Sequence, residues 1–574
     1  MSENMKRLHP VAGGVAPLLL GMALVLAGCS HGGFAPRPVV PDDRRPVPKP
    51  EERSINDFAD AFDNQITRQV EQTFDLSRQL RTLFGRPKQA KNCTPLDEVP
   101  NSAWFTNRNG VRRMSLDEIG RGPDRGTGPD TSGAWTVVRA KSAGVTPGFH
   151  IEDARGDRYL LKFDPPGYPE LATGAEVVST KLFYAAGYNV PENYIVFFRP
   201  ERLILAEGVR IKDKTGASKV MTGEDLNSLL GRIEQAPDGS IRAVASKYVP
   251  GEPIGPFCYK GTRPDDPNDI VPHQHRRELR GLRVIAAWLH HFDTKSLNSL
   301  DTYVTRNGAS YVEHYLIDFG STLGSAATKP VEPFMGRENF FDPREITKST
   351  LALGLYVRAS ELPVESGFRS VGHYTADGFH PRKYKFLIPN PAFENCTAAD
   401  GFWAAKIVTS FTDEQLAAAV AEGRYSDRAA EAYLLRGLRE RRDVVGRVYL
   451  AGTNSLDRFR VERNADGYIT LTFEDLAVER GYADGERSEY RYEIRTGERK
   501  RNGGLTGGTN AVILPAPRES AGDGQTGSRE DAYVEVLLRV RRDEDGAWST
   551  AVHLYLTADE DRTGYTLKGL KRDE

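Results

Sequence analysis

The stretch from Gly281 to Gly324, GLRVIAAWLHHFDTKSLNSLDTYVTRNGASYVEHYLIDFGSTLG, restricts the fold more than any other part of the chain. It reads as an apolar helix, a polar loop carrying Asp293 and Asn298, a two-strand hairpin, and a second acidic loop at Asp318-Phe319-Gly320. The helix starts charged, at Arg276–Arg280, and ends apolar, at Val284–His290, so it delivers the Asp293 loop from the core of a helical lobe. At 574 residues the chain is too long for one core, and two to three domains are expected.

Asp293-Thr-Lys-Ser-Leu-Asn298, followed by Asp318-Phe319-Gly320 after a ribbon, resembles the catalytic and metal loops of protein kinases. His291-Phe292-Asp293 stands where typical members carry His-Arg-Asp, so the segment is more similar to the atypical HipA-like, CotH-like and Fam20-like kinases. The resemblance covers the middle of the chain and rests on a handful of positions. It implies an α+β, two-lobed protein-kinase-like fold with an antiparallel β N-lobe and an α-helical C-lobe. It also implies that Asp293 orients or deprotonates an acceptor hydroxyl while Asn298 and Asp318 hold Mg²⁺ or Mn²⁺ through oxygen. ATP or another nucleotide would be the co-substrate.

The segment Trp135–Phe163 alternates as a three-stranded antiparallel meander whose first connection contains Gly144 and Gly148. On the resemblance, that connection covers the nucleotide phosphates and Lys162, on the third strand, clamps them. A solvent-facing edge lysine is the alternative. Ala172–Ala186 is a helix stopped by Gly187, in the place of the kinase C-helix. There Glu176 would pair with Lys162, with Glu170 as the competing partner. Further strands are expected within Tyr194–Val209 and Ser240–Val249, separated by a helix near Glu224–Ile233. Ser246–Gly251 then looks like a hinge, and the resemblance puts adenine against its backbone around Tyr248.

Residues 1–29 read as a targeting segment. Lys6 and Arg7 precede the apolar run Val11–Leu26, and Leu26-Ala27-Gly28-Cys29 is a lipobox. The run is short for a membrane span, and an ordinary signal peptide or a short membrane anchor is the plainer alternative. Resemblance to bacterial lipoproteins implies acylation of Cys29 and attachment to a lipid bilayer. Ser30 resembles an outer-membrane sorting signal, so the expected location is the cell envelope, as an outer-membrane lipoprotein on its periplasmic or surface face. The Pro-rich residues 30–53 read as a stiff tether. Within 54–133, Ile55, Phe58, Phe62, Ile66, Val70 and Phe74 make one helical face, capped by Ser54 and docked on the main domain, with a partner-binding coiled coil as the alternative. A short helix from Ser115 has a Ser115/Glu118 capping box. Cys93, Cys258 and Cys396 permit one disulfide of unspecified pairing.

The N-lobe is assigned to 134–252, the C-lobe to 253–452 and a C-terminal all-β sandwich to 453–574. Asp265, Asp266, Asp269, His273 and His275 read as a solvated loop rather than a metal site. Later in the C-lobe, Thr412/Gln415 caps one helix and Asp427–Leu450 forms a long amphipathic one. The net charge of −2 offers no reason to expect nucleic acid, and 39% hydrophobic with 27% charged residues describes a globular chain rather than a membrane bundle. The resulting expectation is a membrane-anchored, metal- and nucleotide-dependent phosphotransferase acting on a hydroxyl of an unknown protein, sugar or lipid. Its rival is a catalytically inactive kinase-like scaffold, since ATP is scarce beyond the inner membrane. Transfer of AMP from the same pocket is a third reading.

Overall fold

Alternation in the meander sorts side chains between a core and the outside. In β1 (Trp135–Ala140), β2 (Gly148–Glu152) and β3 (Arg158–Lys162), the residues Trp135, Val137, Phe149, Ile151, Tyr159 and Leu161 are buried. This computed structural model describes residues 37–140, 148–212, 217–353, 355–358, 361, 367–496, 499–517 and 533–574. Gly144 and Cys29 lie outside the described residues. The Arg155-Gly156-Asp157 stretch is the β2–β3 turn, with Gly156 at φ 82° and the Asp153 carboxylate accepting from the Arg155 and Asp157 amides, both at 2.9 Å.

Helix α1 (Leu171–Ala186) follows and ends at Gly187, where a side chain would collide with the Phe105 ring. Strands β4 (Asn193–Phe198), β5 (Leu203–Leu205) and β6 (Ile241–Lys247) complete a six-stranded sheet in the order β4-β6-β3-β2-β1-β5. The expectation of a purely antiparallel sheet fails at one place, because β1 and β5 pair in parallel, Trp135 opposite Leu203. Geometry explains it. β4 and β5 sit at opposite edges yet are joined by Arg199–Arg202 alone. That connector reaches at most about 18 Å, less than the ~24 Å width of a flat six-stranded sheet. The sheet therefore curls, and Phe198 of β4 meets Trp135 of β1 with ring centroids 5.1 Å apart. Val177 of α1 packs on its outside against Ile195 and Val244.

The second core is helical. It gathers α2 (Arg277–Trp288), α3 (Ala398–Val408), α4 (Asp413–Ala421) and α5 (Arg428–Gly446). The charged start of α2 is buried rather than solvated. Arg277 donates to Asp400 Oδ1 at 3.0 Å and Arg280 to Asp400 Oδ2 at 3.1 Å. The hairpin β8 (Ser299–Arg306) and β9 (Ala309–Leu316), joined by the short β7 (Glu252–Pro253), leaves the same body. The Asp/His insert corrects its solvated reading. His273 is buried beside Trp104 and donates from Nε2 to Asp269 at 2.7 Å, while Arg276 reaches the other Asp269 oxygen at 3.2 Å. Charges held this way fill the loop interior with ion pairs, and no metal-ligand cluster occurs among the described residues.

The Pro-rich segment is not a free spacer over 37–53. Arg37 pairs with Asp97 at 2.8 Å, Asp43 accepts from the Ala103 amide at 2.7 Å, and buried Val47 donates to the Ser310 carbonyl at 2.9 Å. Residues 54–84 also depart from expectation. They form Asp57–Phe62, a π turn at Asp63–Thr67, Arg68–Phe74 and, after a break at Asp75, Leu76–Leu83, with Asn56 and not Ser54 as the cap. The apolar stripe faces outward, Phe58 at 81% and Phe74 at 77% exposure. The polar face docks instead, through Arg68–Glu394 at 2.6 Å, Gln69–Glu394 at 2.7 Å and Gln65 to the Leu387 carbonyl at 3.0 Å. The body presents a carboxylate and carbonyls there, and those decide which face is buried.

From Leu456 onward, β10 (Leu456–Arg463), β11 (Ile469–Asp475) and β14 (Ala511–Ile513) form one antiparallel sheet. The strands β12 (Glu489–Thr496), β13 (Arg499–Leu505), β15 (Val534–Arg541), β16 (Val552–Ala558) and β17 (Tyr565–Arg572) form the other. The two share one core. Cys93, Cys258 and Cys396 are free thiols, and burial pushes those of Cys93 and Cys396 up to about 12. Among the described residues no helix is long and apolar enough to cross a membrane.

Candidate active site

Lys162 ends β3 between two neighbours, paired across the ladder with Gly148 of β2 and Val244 of β6. Its ammonium lies 3.1 Å from Glu176 Oε1 and 3.0 Å from Asp318 Oδ1. Burial alone would lower its pKa, but the carboxylates of Asp318 and Glu176 more than reverse this and hold the amine protonated. The edge-lysine alternative does not describe this residue.

Glu176 and Glu170 are separated by the way α1 begins. Glu170 occupies the N-cap position with left-handed backbone at φ 68°, and its carboxylate accepts from the Ser426 amide at 3.1 and 3.0 Å. The orphan amides of the first turn are taken by Asp164, which accepts from Ala172 and Thr173 at 2.9 and 2.8 Å. Glu176, in the second turn, faces Lys162 and is 1% exposed. Its Oε2 is buried without a hydrogen-bond partner among the described residues. A Cβ at Gly320 would stand 3.5 Å from that atom, so the glycine of Asp318-Phe319-Gly320 lies directly against it.

Hairpin register brings the two polar loops together. β8 and β9 pair Ser299 with Leu316, and the ladder runs one step further as Ile317 donates to the Asn298 carbonyl at 3.0 Å. Asn298 and Asp318 therefore emerge at the same end of the ribbon. The Asn298 amide nitrogen donates to the Asp293 carbonyl at 2.6 Å and to Asp293 Oδ2 at 3.2 Å. That leaves its amide oxygen as the atom able to meet a cation. Asp318 has φ 65°, an uncommon backbone state for a non-glycine residue, and its side chain is 53% exposed. One carboxylate and one amide oxygen are hard donors of the kind Mg²⁺ and Mn²⁺ take, so the residues present fit such an ion.

Packing behind the loops is aromatic. Phe319 is fully buried and contacts Phe183 of α1 and His291, whose Nδ1 donates to the Ser321 carbonyl at 3.3 Å. Ser179 and Thr322 share a hydrogen bond at 2.7 Å. On the far side, Lys295 pairs with Asp57 at 3.2 Å, so the first helical turn of the N-terminal extension sits on the Asp293 loop. Nothing in the local sequence signals that contact.

The structure thus holds Lys162, Glu176 and Asp318 in one ion-paired cluster and Asn298 with Asp293 in a hydrogen-bonded pair, the two linked through the backbone by the Ile317–Asn298 hydrogen bond. Tyr248 is differently engaged. Its amide donates to the Arg158 carbonyl at 3.0 Å and its hydroxyl shares a hydrogen bond with His150 at 2.6 Å, so that amide is not open to an adenine ring. The Tyr248 ring lines a separate polar cavity with Glu192, Arg306 and Tyr315.

No family model matches the chain, and no curated protein matches it. The solved structures it is similar to include two of one kinase. One is of the Golgi casein kinase with Mn/ADP bound, at 11% identity and TM-score 0.22, covering 68% of this chain and 97% of that one. The other is of the Golgi casein kinase, at 10% identity and TM-score 0.20, covering 70% of this chain and 96% of that one.

Proposed function

We propose that this protein is an atypical kinase-like phosphotransferase that moves a phosphoryl group from a nucleotide to a hydroxyl acceptor. The observation that carries the reading is Lys162 held between Glu176 and Asp318 at 3.1 and 3.0 Å. A buried lysine fixed by one carboxylate and shared with a second, half-exposed one suits a phosphate clamp beside a metal ligand. Asn298 and Asp318 hold Mg²⁺ or Mn²⁺, and the bound ion supplies charge neutralisation on the phosphates.

Asp293 sits where an acceptor hydroxyl enters. The acceptor oxygen attacks the terminal phosphorus, the bond from that phosphorus to the nucleoside diphosphate oxygen breaks, and the hydroxyl proton passes to the Asp293 carboxylate. Positioning and charge stabilisation supply most of the rate, since no protein group forms a covalent bond. The acceptor is a protein, sugar or lipid. The lipobox at Cys29 supports an envelope lipoprotein anchored to a bilayer, with residues 37–53 lying along the folded body.

The test is thermal melting of the full chain with ATP, with and without Mg²⁺ or Mn²⁺, alongside release of ADP. Stabilisation that requires both nucleotide and metal is expected. An unchanged melting point at millimolar ATP and metal would replace this reading with the scaffold one.

A further inference from the structure

A cavity of about 460 Å³ opens where the Asp293 loop begins, lined by His290, Arg337, Thr375, His380, Tyr384 and Arg441 among others. Phosphoryl transfer as described makes no use of it. Four of its polar atoms are buried with no hydrogen-bond partner among the described residues: His290 Nδ1, Thr375 Oγ1, His380 Nδ1 and the Tyr384 hydroxyl. His290 and Tyr384 are only 6% and 5% exposed. Buried polar groups are nearly always paired, so four orphans around one space point to something that fills it.

The protonation pattern narrows what that is. His290 Nε2 donates to the Met335 carbonyl at 3.3 Å, which leaves Nδ1 as an acceptor on the cavity wall. His290 is held in this position by backbone at φ 55°, a region bulky residues rarely adopt. Arg441, 5% exposed, donates to the carbonyls of Trp288, Thr375 and Ala287 at 3.0, 3.1 and 2.6 Å, and its guanidinium lies 3.8 Å from the Phe379 ring centroid. Those bonds use three of five N–H groups. No carboxylate pairs with Arg441 among the described residues, so the wall carries a buried cation without a counter-ion. Of the two acids at the rim, Glu332 is taken by Lys329 and Asp377 is exposed.

We propose that this cavity binds a small hydroxylated oxyanion, a sugar phosphate or a hydroxy-carboxylate. Its oxyanion meets Arg441 and the hydroxyls of Tyr384 and Thr375, and one of its own hydroxyls donates to His290 Nδ1. The neutral hydroxyl groups cannot by themselves balance Arg441, and an anion without a hydroxyl proton leaves His290 Nδ1 without a donor. One molecule carrying both features satisfies both. The site stands or falls independently of the activity of the Asp293 loop.

The test is melting of the full chain in glucose 6-phosphate, gluconate, inorganic phosphate and glucose, each matched in ionic strength with KCl. Glucose 6-phosphate or gluconate is expected to raise the melting temperature more than phosphate does, with no effect from glucose or KCl. Whichever of the two is stronger identifies a phosphoryl or a carboxylate ligand. Tyr384→Phe and Thr375→Val remove hydroxyls that now lack partners, so ligand-free melting stays level or rises while binding weakens about tenfold. Lys162→Ala keeps the full shift, which separates this cavity from phosphate bound at the Lys162 cluster. Equal shifts in KCl, no shift with any probe, or undiminished binding in both cavity variants would overturn the proposal. So would a fall in ligand-free stability of Tyr384→Phe, because ordered water would then already satisfy the hydroxyl.

Discussion

Phe319 lies nearly flat on Phe183, ring centroids 4.8 Å apart and planes 24° off parallel. Phe183 belongs to the helix that carries Glu176, and Phe319 follows Asp318 in the chain. The stack therefore fixes both carboxylates relative to Lys162. Phe319→Ala should cost about 3–5 kcal/mol in urea unfolding, because the site is wholly buried. Phe319→Leu should fold yet lose most of the metal-dependent ATP stabilisation. Wild-type ATP shifts in the leucine variant would show that the stack does not position the acidic loop.

Asp318 and Asp293 should separate binding from transfer. Asp318→Ala is expected to abolish metal-dependent ATP stabilisation, while Asp293→Ala keeps it and loses ADP release. Loss of both properties in both variants, with the fold intact by circular dichroism, would contradict the assigned roles.

Acid should weaken the helical body through His290. Burial, helped by Arg441, lowers its pKa from 6.5 to about 3, so between those values the unfolded chain binds a proton that the native state does not. The stability tied to neutral His290 is present above pH 6.5 and is lost as pH falls through that window, at about 1.4 kcal/mol per pH unit. His290→Asn should flatten the slope of urea-unfolding free energy between pH 6 and pH 4 by about one proton. An unaltered slope would mean that His290 is already charged in the native state.

The N-terminal extension should depend on its polar face and not on its apolar stripe. Phe58→Ser with Phe74→Ser is expected to change stability by less than about 0.5 kcal/mol per site, as for exposed positions generally. Arg68→Ala removes the partner of Glu394 and should expose 57–83 to rapid hydrogen exchange. Protection retained in Arg68→Ala but lost in the double serine variant would reverse the assignment of faces.

Local signals in the chain carried much of the architecture. The Ser115/Glu118 and Thr412/Gln415 capping boxes form where their spacing put them, and the meander over Trp135–Phe163 is antiparallel as its alternation implies. Periodicity alone failed for Phe58, Phe62, Val70 and Phe74, since a helical stripe does not say what lies opposite it. Local composition failed likewise for His273 and Asp269, where a polar loop is buried because ion pairs close over it.

The sequence by itself determined most of the elements, their order and the residue types available for chemistry, because propensity, capping and periodicity act over a few residues. Tertiary structure decided that Glu176 and not Glu170 meets Lys162, that β5 joins β1 in parallel, and that His290, Tyr384 and Arg441 face one cavity. Those outcomes depend on the curl of a sheet, the register of a hairpin and the approach of segments far apart in the chain, and no short window of residues encodes them.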